Sequence, residues 1–122
     1  MIVVKRESAS VLHTPHGSEI RPLVDRTTAP VELCSLAEET LPVGAEVGRH
    51  FHRRTEEIYY VVAGVGLMTV AGETREVAAG DAVYIPRGAA HTLRNTGSAP
   101  MKILLVCGPA YSFEDHHAGE PE

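Results

Sequence analysis

The densest chemical signal in this 122-residue sequence is a pair of histidines one residue apart, His50-Phe51-His52, with Glu57 close behind and His91 further on. A β-strand projects residues i and i+2 from the same face, so one ion can reach both imidazoles of the pair. After the polar turn Arg53-Arg54-Thr55 the chain enters an apolar run in which Glu57 shares its face with Tyr59 and Val61 by period-two alternation. Glu56 is the rival carboxylate; strand parity selects Glu57 and reads Glu56 as a solvated charge. His91 opens the run His91-Thr92-Leu93 after the turn Pro86-Arg87-Gly88-Ala89-Ala90 and would supply a third nitrogen.

Three imidazoles and one carboxylate form a donor set of intermediate softness, suited to one divalent ion among Fe(II), Mn(II), Ni(II), Cu(II) and Zn(II). The lack of thiolates in the set argues against a closed structural zinc site. Four protein ligands on an octahedral ion leave two positions for water, dioxygen or two oxygens of a chelating substrate. There the ion can act as a Lewis acid toward an enolate or carboxylate. A single glutamate leaves the site net positive, which favours anionic, oxygen-rich partners such as small acids, enols or sugar derivatives.

Other residues invite a role but have plainer readings. Tyr59 and Met68 are candidates for the cavity wall, although filling a β-barrel explains both. Arg21 and Arg54 could clamp a carboxylate bidentately, or be surface arginines. His13, His16, His116 and His117 fall in loop or tail segments and are expected to be exposed. Cys34 and Cys107 lie far apart in apolar segments with no CxxC pair, and are read as buried free thiols of a reducing cytoplasm.

The elements that would position the cluster are short strands. Eleven glycines and eight prolines punctuate segments rich in Val, Ile, Leu, Thr and Tyr, the rhythm of a β-sandwich or barrel. Expected strands are 31–37, 47–51, 57–62, 66–70, 73–77, 82–85, 91–95 and 101–107. Sharp turns are expected at Ala71-Gly72-Glu73, Gly80-Asp81, Pro86-Arg87-Gly88 and Asn95-Thr96-Gly97. No window keeps the 3.6-residue period of a long helix, though residues 36–40 could form a brief turn. Residues 1–30 carry mixed signals, with a possible edge strand at 20–24, and the polar tail 112–122 is expected to fray.

The length suits one domain spanning 1–122. A net charge of −5 with scattered Lys and Arg offers no phosphate-binding stripe, so nucleic acid is not an expected partner. The longest uncharged stretch, 58–72, is broken by glycines and falls short of the roughly 20 residues that span a bilayer. The N-terminus meets Lys5, Arg6 and Glu7 too early for a secretory signal, so a cytoplasmic protein without a membrane span is expected.

Between residues 44 and 95 the pattern resembles the cupin superfamily. A first motif, glycine, five residues, His-x-His, then Glu and Gly, is met by Gly44, His50, His52, Glu57 and Gly64. A second, glycine, five residues, Pro-x-Gly, His, Asn, is met by Gly80, Pro86, Gly88, His91 and Asn95. Only residues 65–79 separate the two, as in a compact bacterial monocupin. The resemblance implies an all-β double-stranded β-helix, or jelly roll, holding a metal through His50, His52, Glu57 and His91, and a homodimer formed through an N-terminal strand. Asn95 is read as a turn cap. The activity expected first is a metal-dependent oxidoreductase of the dioxygenase type acting on a small oxygenated molecule. An isomerase, cyclase or lyase working through an enolate, and a non-catalytic sugar or small-acid binder, are the alternatives.

Overall fold

Strict alternation in residues 56–62 builds the centre of the molecule, because a strand with one face on the core and one outward must change environment at every residue. Glu57, Tyr59 and Val61 are buried, whereas Glu56, Ile58, Tyr60 and Val62 are exposed. A computed structural model describes all residues, 1–122, and resolves eleven strands. These are β1 (Leu12–His13), β2 (Glu19–Val24), β3 (Ser35–Leu41), β4 (His50–Phe51), β5 (Glu56–Ala63), β6 (Val65–Val70), β7 (Glu73–Ala78), β8 (Ala82–Ile85), β9 (His91–Asn95), β10 (Met101–Gly108) and β11 (His117–Ala118).

The strands form two antiparallel sheets, ordered β1-β2-β3-β10-β5-β8 and β11-β4-β9-β6-β7, which face one another as the double-stranded β-helix expected from the sequence. Leu41, Tyr59, Val61, Ile85, Met101 and Ile103 from the first sheet meet Met68, Val77 and Leu93 from the second, with Val47 from the preceding loop. Each fully buried aliphatic side chain of this kind contributes roughly 1.5–3 kcal/mol. At the β6–β7 hairpin Ala71 and Gly72 both take positive φ, as a two-residue turn matched to strand twist requires.

Several expectations need correction. Residues 36–40 do not turn: they lie in β3, which begins at Ser35 and not at Val31, and Cys34 just before it is exposed. Pairing with β10 over seven residues outweighs the weak local turn signal. Residues 47–51 contribute only the two-residue β4. The tail does not fray, because β11 pairs with β4 and Asp115 is 3% exposed. Nor is His16 free in solvent. It sits in a latch where the buried Ser18 hydroxyl donates to Glu39 Oε2 at 2.5 Å and lies 2.7 Å from His16 Nε2, pinning the β1–β2 hairpin to β3.

Candidate metal centre

Three strands and a turn carry the four expected side chains to one point. His50 belongs to β4 and pairs directly with His91 of β9 in the second sheet. His52 follows at the β4–β5 turn, and Glu57 projects inward from β5 in the opposite sheet. One ligand atom from each of His50, His52, Glu57 and His91 lies within 4.8 Å of the other three, and all four residues are buried. Glu56, the rival, points outward and accepts a hydrogen bond from the Tyr84 hydroxyl at 2.7 Å.

The second nitrogen of each ring decides what the first can do. His50 Nδ1 lies 2.7 Å from the Gly48 carbonyl, His52 Nδ1 2.9 Å from the Asp115 carbonyl, and His91 Nδ1 3.0 Å from the Ala89 carbonyl. A carbonyl oxygen only accepts, so each Nδ1 carries the proton and Nε2 presents its lone pair to the centre, the tautomer a metal ligand needs. His52 Nε2, His91 Nε2 and Glu57 Oε1 are buried without a hydrogen-bond partner. Glu57 Oε1 does lie 3.4 Å from His52 Nε2 and 3.1 Å from His91 Nε2, but these close approaches lack hydrogen-bond alignment. Buried polar atoms left unpaired cost free energy, and a divalent cation among them would satisfy all at once. The residues present therefore fit the ion.

Electrostatics within the cluster are consistent with that fit. Burial pushes the His50 imidazole down to about 3, with His91 adding to the effect, so His50 is neutral at physiological pH. Burial would raise Glu57, yet His52 and His91 overcome it and hold the carboxyl at about 2. His52 moves the other way: burial opposes its charge, but the Glu57 carboxylate outweighs burial and raises it. The Glu57 carboxylate is thus held ionised among the imidazoles, the charge state that a divalent cation needs of it.

Residues that the motif reading passed over surround the four. The Cys107 thiol donates to Glu57 Oε2 at 3.4 Å, leaving Oε1 as the oxygen turned to the histidines. Burial raises this thiol, so it stays a donor. Asp115 accepts backbone N–H groups from Arg53, Arg54 and Thr55 at 2.9, 3.0 and 3.2 Å, while its own carbonyl faces His52. His116 stacks on His50 with ring centroids 4.3 Å apart and planes 2° from parallel. Pairing of β10 with β5 sets Cys107 opposite Glu57, a register that no local pattern reveals. The one sequence signal for the tail was its two histidines.

The remaining candidates separate. Tyr59 packs edge-on against His91 at 5.7 Å, and burial lifts its phenol well above the ordinary value, so it is a neutral wall of the barrel beside the cluster. Met68 lines a cleft of about 670 Å³ between the edge strands β7 and β8, a cleft lined by none of the four ligand candidates. Arg21 is not brought to the site: it pairs with Glu38 on the outer face of the first sheet and donates to the Arg6 carbonyl at 3.3 Å. Arg54 is exposed on the β4–β5 turn. Asn95 does cap its turn, accepting from the Gly97 N–H and donating to the Leu41 and Ala99 carbonyls, each at 2.9 Å.

A jelly-roll barrel with three histidines and a glutamate converging in its interior defines a class of protein whose barrel interior could hold a metal ion. Residues 37–107 match the cupin domain, and the chain belongs to that family. An uncharacterised protein of Methanocaldococcus jannaschii is 44% identical over 102 residues, 84% of this chain and 82% of that protein. The oxalate-binding protein of Thermotoga maritima is 36% identical over 70 residues, 57% of this chain and 58% of that protein. Among solved structures, a predicted oxalate decarboxylase from Thermotoga maritima superposes with TM-score 0.80 at 25% identity, covering 88% of this chain and 99% of that one. The polyketide cyclase RemF from Streptomyces resistomycificus superposes with TM-score 0.78 at 23% identity, over 100% of this chain and 87% of that one, a likeness of fold. No helix is long and apolar enough to cross a membrane.

Proposed function

We propose that this cupin is a metal-dependent enzyme that holds one divalent ion through His50, His52, Glu57 and His91 and acts on a small, oxygen-rich anion. One observation carries the reading: three Nε2 lone pairs, each oriented by a carbonyl on Nδ1, converge with one carboxylate oxygen. When bound, the ion supplies Lewis acidity and a positive charge that attracts a carboxylate or enol oxygen. The chain's own residues orient the donors, and Cys107 keeps Glu57 directed through Oε1. Tyr59 stays neutral and closes the barrel beside His91. The names of the two Thermotoga maritima relatives support a short dicarboxylate as the ligand class.

Elemental analysis of purified protein tests the centre, with one equivalent of a divalent metal expected and its absence refuting the reading. Oxygen uptake with short acids, diketones and catechols, after loading with Fe(II) or Mn(II), then separates the reactions. Uptake identifies the dioxygenase-type oxidation that we place first, and metal-dependent turnover without uptake identifies isomerase, cyclase or lyase chemistry. The alternative of a non-catalytic binder is favoured by the name of the oxalate-binding relative, and oxalate binding without turnover would establish it.

We also infer a homodimer. Ile58, Tyr60 and Val62 are 42, 41 and 42% exposed on the outer face of β5, and Tyr84 beside them is 58% exposed. An apolar sheet face of this kind suits a second copy of the same face. A sedimentation mass of one chain would refute the dimer. The two thiols, free of a disulfide, accord with a cytoplasmic location.

A further inference from the structure

The tail expected to fray is a strap fixed across the metal centre. The Asp115 carboxylate holds it to the β4–β5 turn, β11 pairs with β4, and the Gly119 N–H donates to the Arg49 carbonyl at 2.9 Å. So anchored, the strap places three aromatic rings at the cluster. His116 lies parallel to His50 at 4.3 Å and edge-on to His52 at 5.6 Å. Tyr111 meets His52 edge-on at 6.0 Å, and Phe113 stacks beyond His116 at 6.2 Å. All four ligand candidates are buried, and the strap contributes to covering His50 and His52.

His116 differs from the three cluster histidines in what faces its Nδ1. Theirs face carbonyls, which only accept and so force the proton onto Nδ1. His116 Nδ1 lies 3.3 Å from the Tyr111 hydroxyl, which can donate. A donated phenol proton leaves the His116 proton on Nε2. In that state the ring cannot offer Nε2 to a cation but can donate from it to an anion. Stacked on His50 at 4.3 Å and edge-on to His52 at 5.6 Å, the partly exposed ring adjoins two of the four ligand candidates.

We propose that His116, oriented by Tyr111, is a specificity-determining residue that donates a hydrogen bond from Nε2 to an oxygen of the small carboxylate anion bound at the metal centre. The proposal rests on the metal-dependent reading above. It is tested with intact Co(II)-loaded protein titrated with oxalate, following the Co(II) absorption bands and the heat of binding. His116→Ala should weaken oxalate about tenfold, the loss of one hydrogen bond to a charged group, with one equivalent of Co(II) still bound and its oxalate-free bands unchanged. His116→Gln, which keeps an N–H donor, should recover part of that loss, and Tyr111→Phe should weaken oxalate about threefold.

If wild type binds Co(II) and oxalate but His116→Ala binds oxalate equally well, the proposal fails while the metal-dependent reading stands. Loss of Co(II) by His116→Ala would likewise overturn it, since the ring would then be support for His50. A wild-type protein that takes up no Co(II) overturns both readings.

Discussion

Glu57→Gln removes the only carboxylate of the cluster while preserving its shape, and two magnitudes follow from the structure. In the metal-free protein the carboxyl is held at about 2, against an ordinary value near 4.5. A shift of that size corresponds to stability on the order of 3 kcal/mol in favour of the ionised folded state. Because the folded value is depressed, this stability is present above about pH 4.5 and is lost as the pH falls through about 2. The raised His52 reflects the same ion pair seen from its partner. Its contribution is present below the ordinary imidazole value and lost as the pH rises through the folded one, so the pair is counted once. Glutamine cannot ionise, so the acid limb of stability should flatten between pH 4.5 and 2. The variant also leaves a bound ion without its buried counter-charge. Breaking a buried pair of this kind costs about 3–5 kcal/mol, which weakens metal binding by roughly two to three and a half orders of magnitude. Urea denaturation of chelator-treated protein at pH 7 and pH 3 measures the first effect, and competition with a chromophoric chelator measures the second. Wild-type metal affinity together with an unchanged acid limb would refute the assignment of Glu57.

Cys107→Ala deprives Glu57 Oε2 of its donor, and metal affinity should fall about 10- to 100-fold with the fold intact, read by the same chelator competition. Asp115→Ala strands the three N–H groups of the β4–β5 turn and should cost roughly 2–3 kcal/mol in urea denaturation at pH 7. Although burial acts to raise it, the N–H donors of Arg53 and Arg54 hold the Asp115 carboxyl below its usual range. The destabilisation should therefore shrink in acid, as the wild type loses the same charge. Gly64→Ala meets two obstacles, since the backbone sits at φ +94 and a Cβ there would lie 2.8 Å from Met101 Cγ. A loss of at least about 2 kcal/mol is expected from thermal denaturation, and a neutral result would show that Met101 yields.

Much of the candidate site was legible because its signals are local. The i, i+2 spacing of His50 and His52 requires only that the segment be extended, and the parity of Glu57 with Tyr59 and Val61 requires only that β5 keep one face on the core. Turn chemistry and alternation marked β8 and β9 to the residue, while β3 and β4 were misplaced. Long-range pairing with β10 set the bounds of β3, and an irregular approach shortened β4. Arg21 could be proposed as a clamp because a sequence cannot say which face of β2 looks inward when both are half covered.

By itself, then, the chain's order of residues indicated the donor set, its strand-borne spacing and an all-β sandwich or barrel, which rest on local period and turn chemistry, while the jelly-roll form followed from the resemblance of its two motifs to the cupins. Only the tertiary structure decided that His52 Nδ1 meets the Asp115 carbonyl, that Cys107 lies against Glu57, and that the tail closes over His50. Those contacts join residues separated by 50 or more positions, His52 to Asp115 and Glu57 to Cys107 among them. They come from sheet register and loop closure, which hydrophobic period and turn type do not encode.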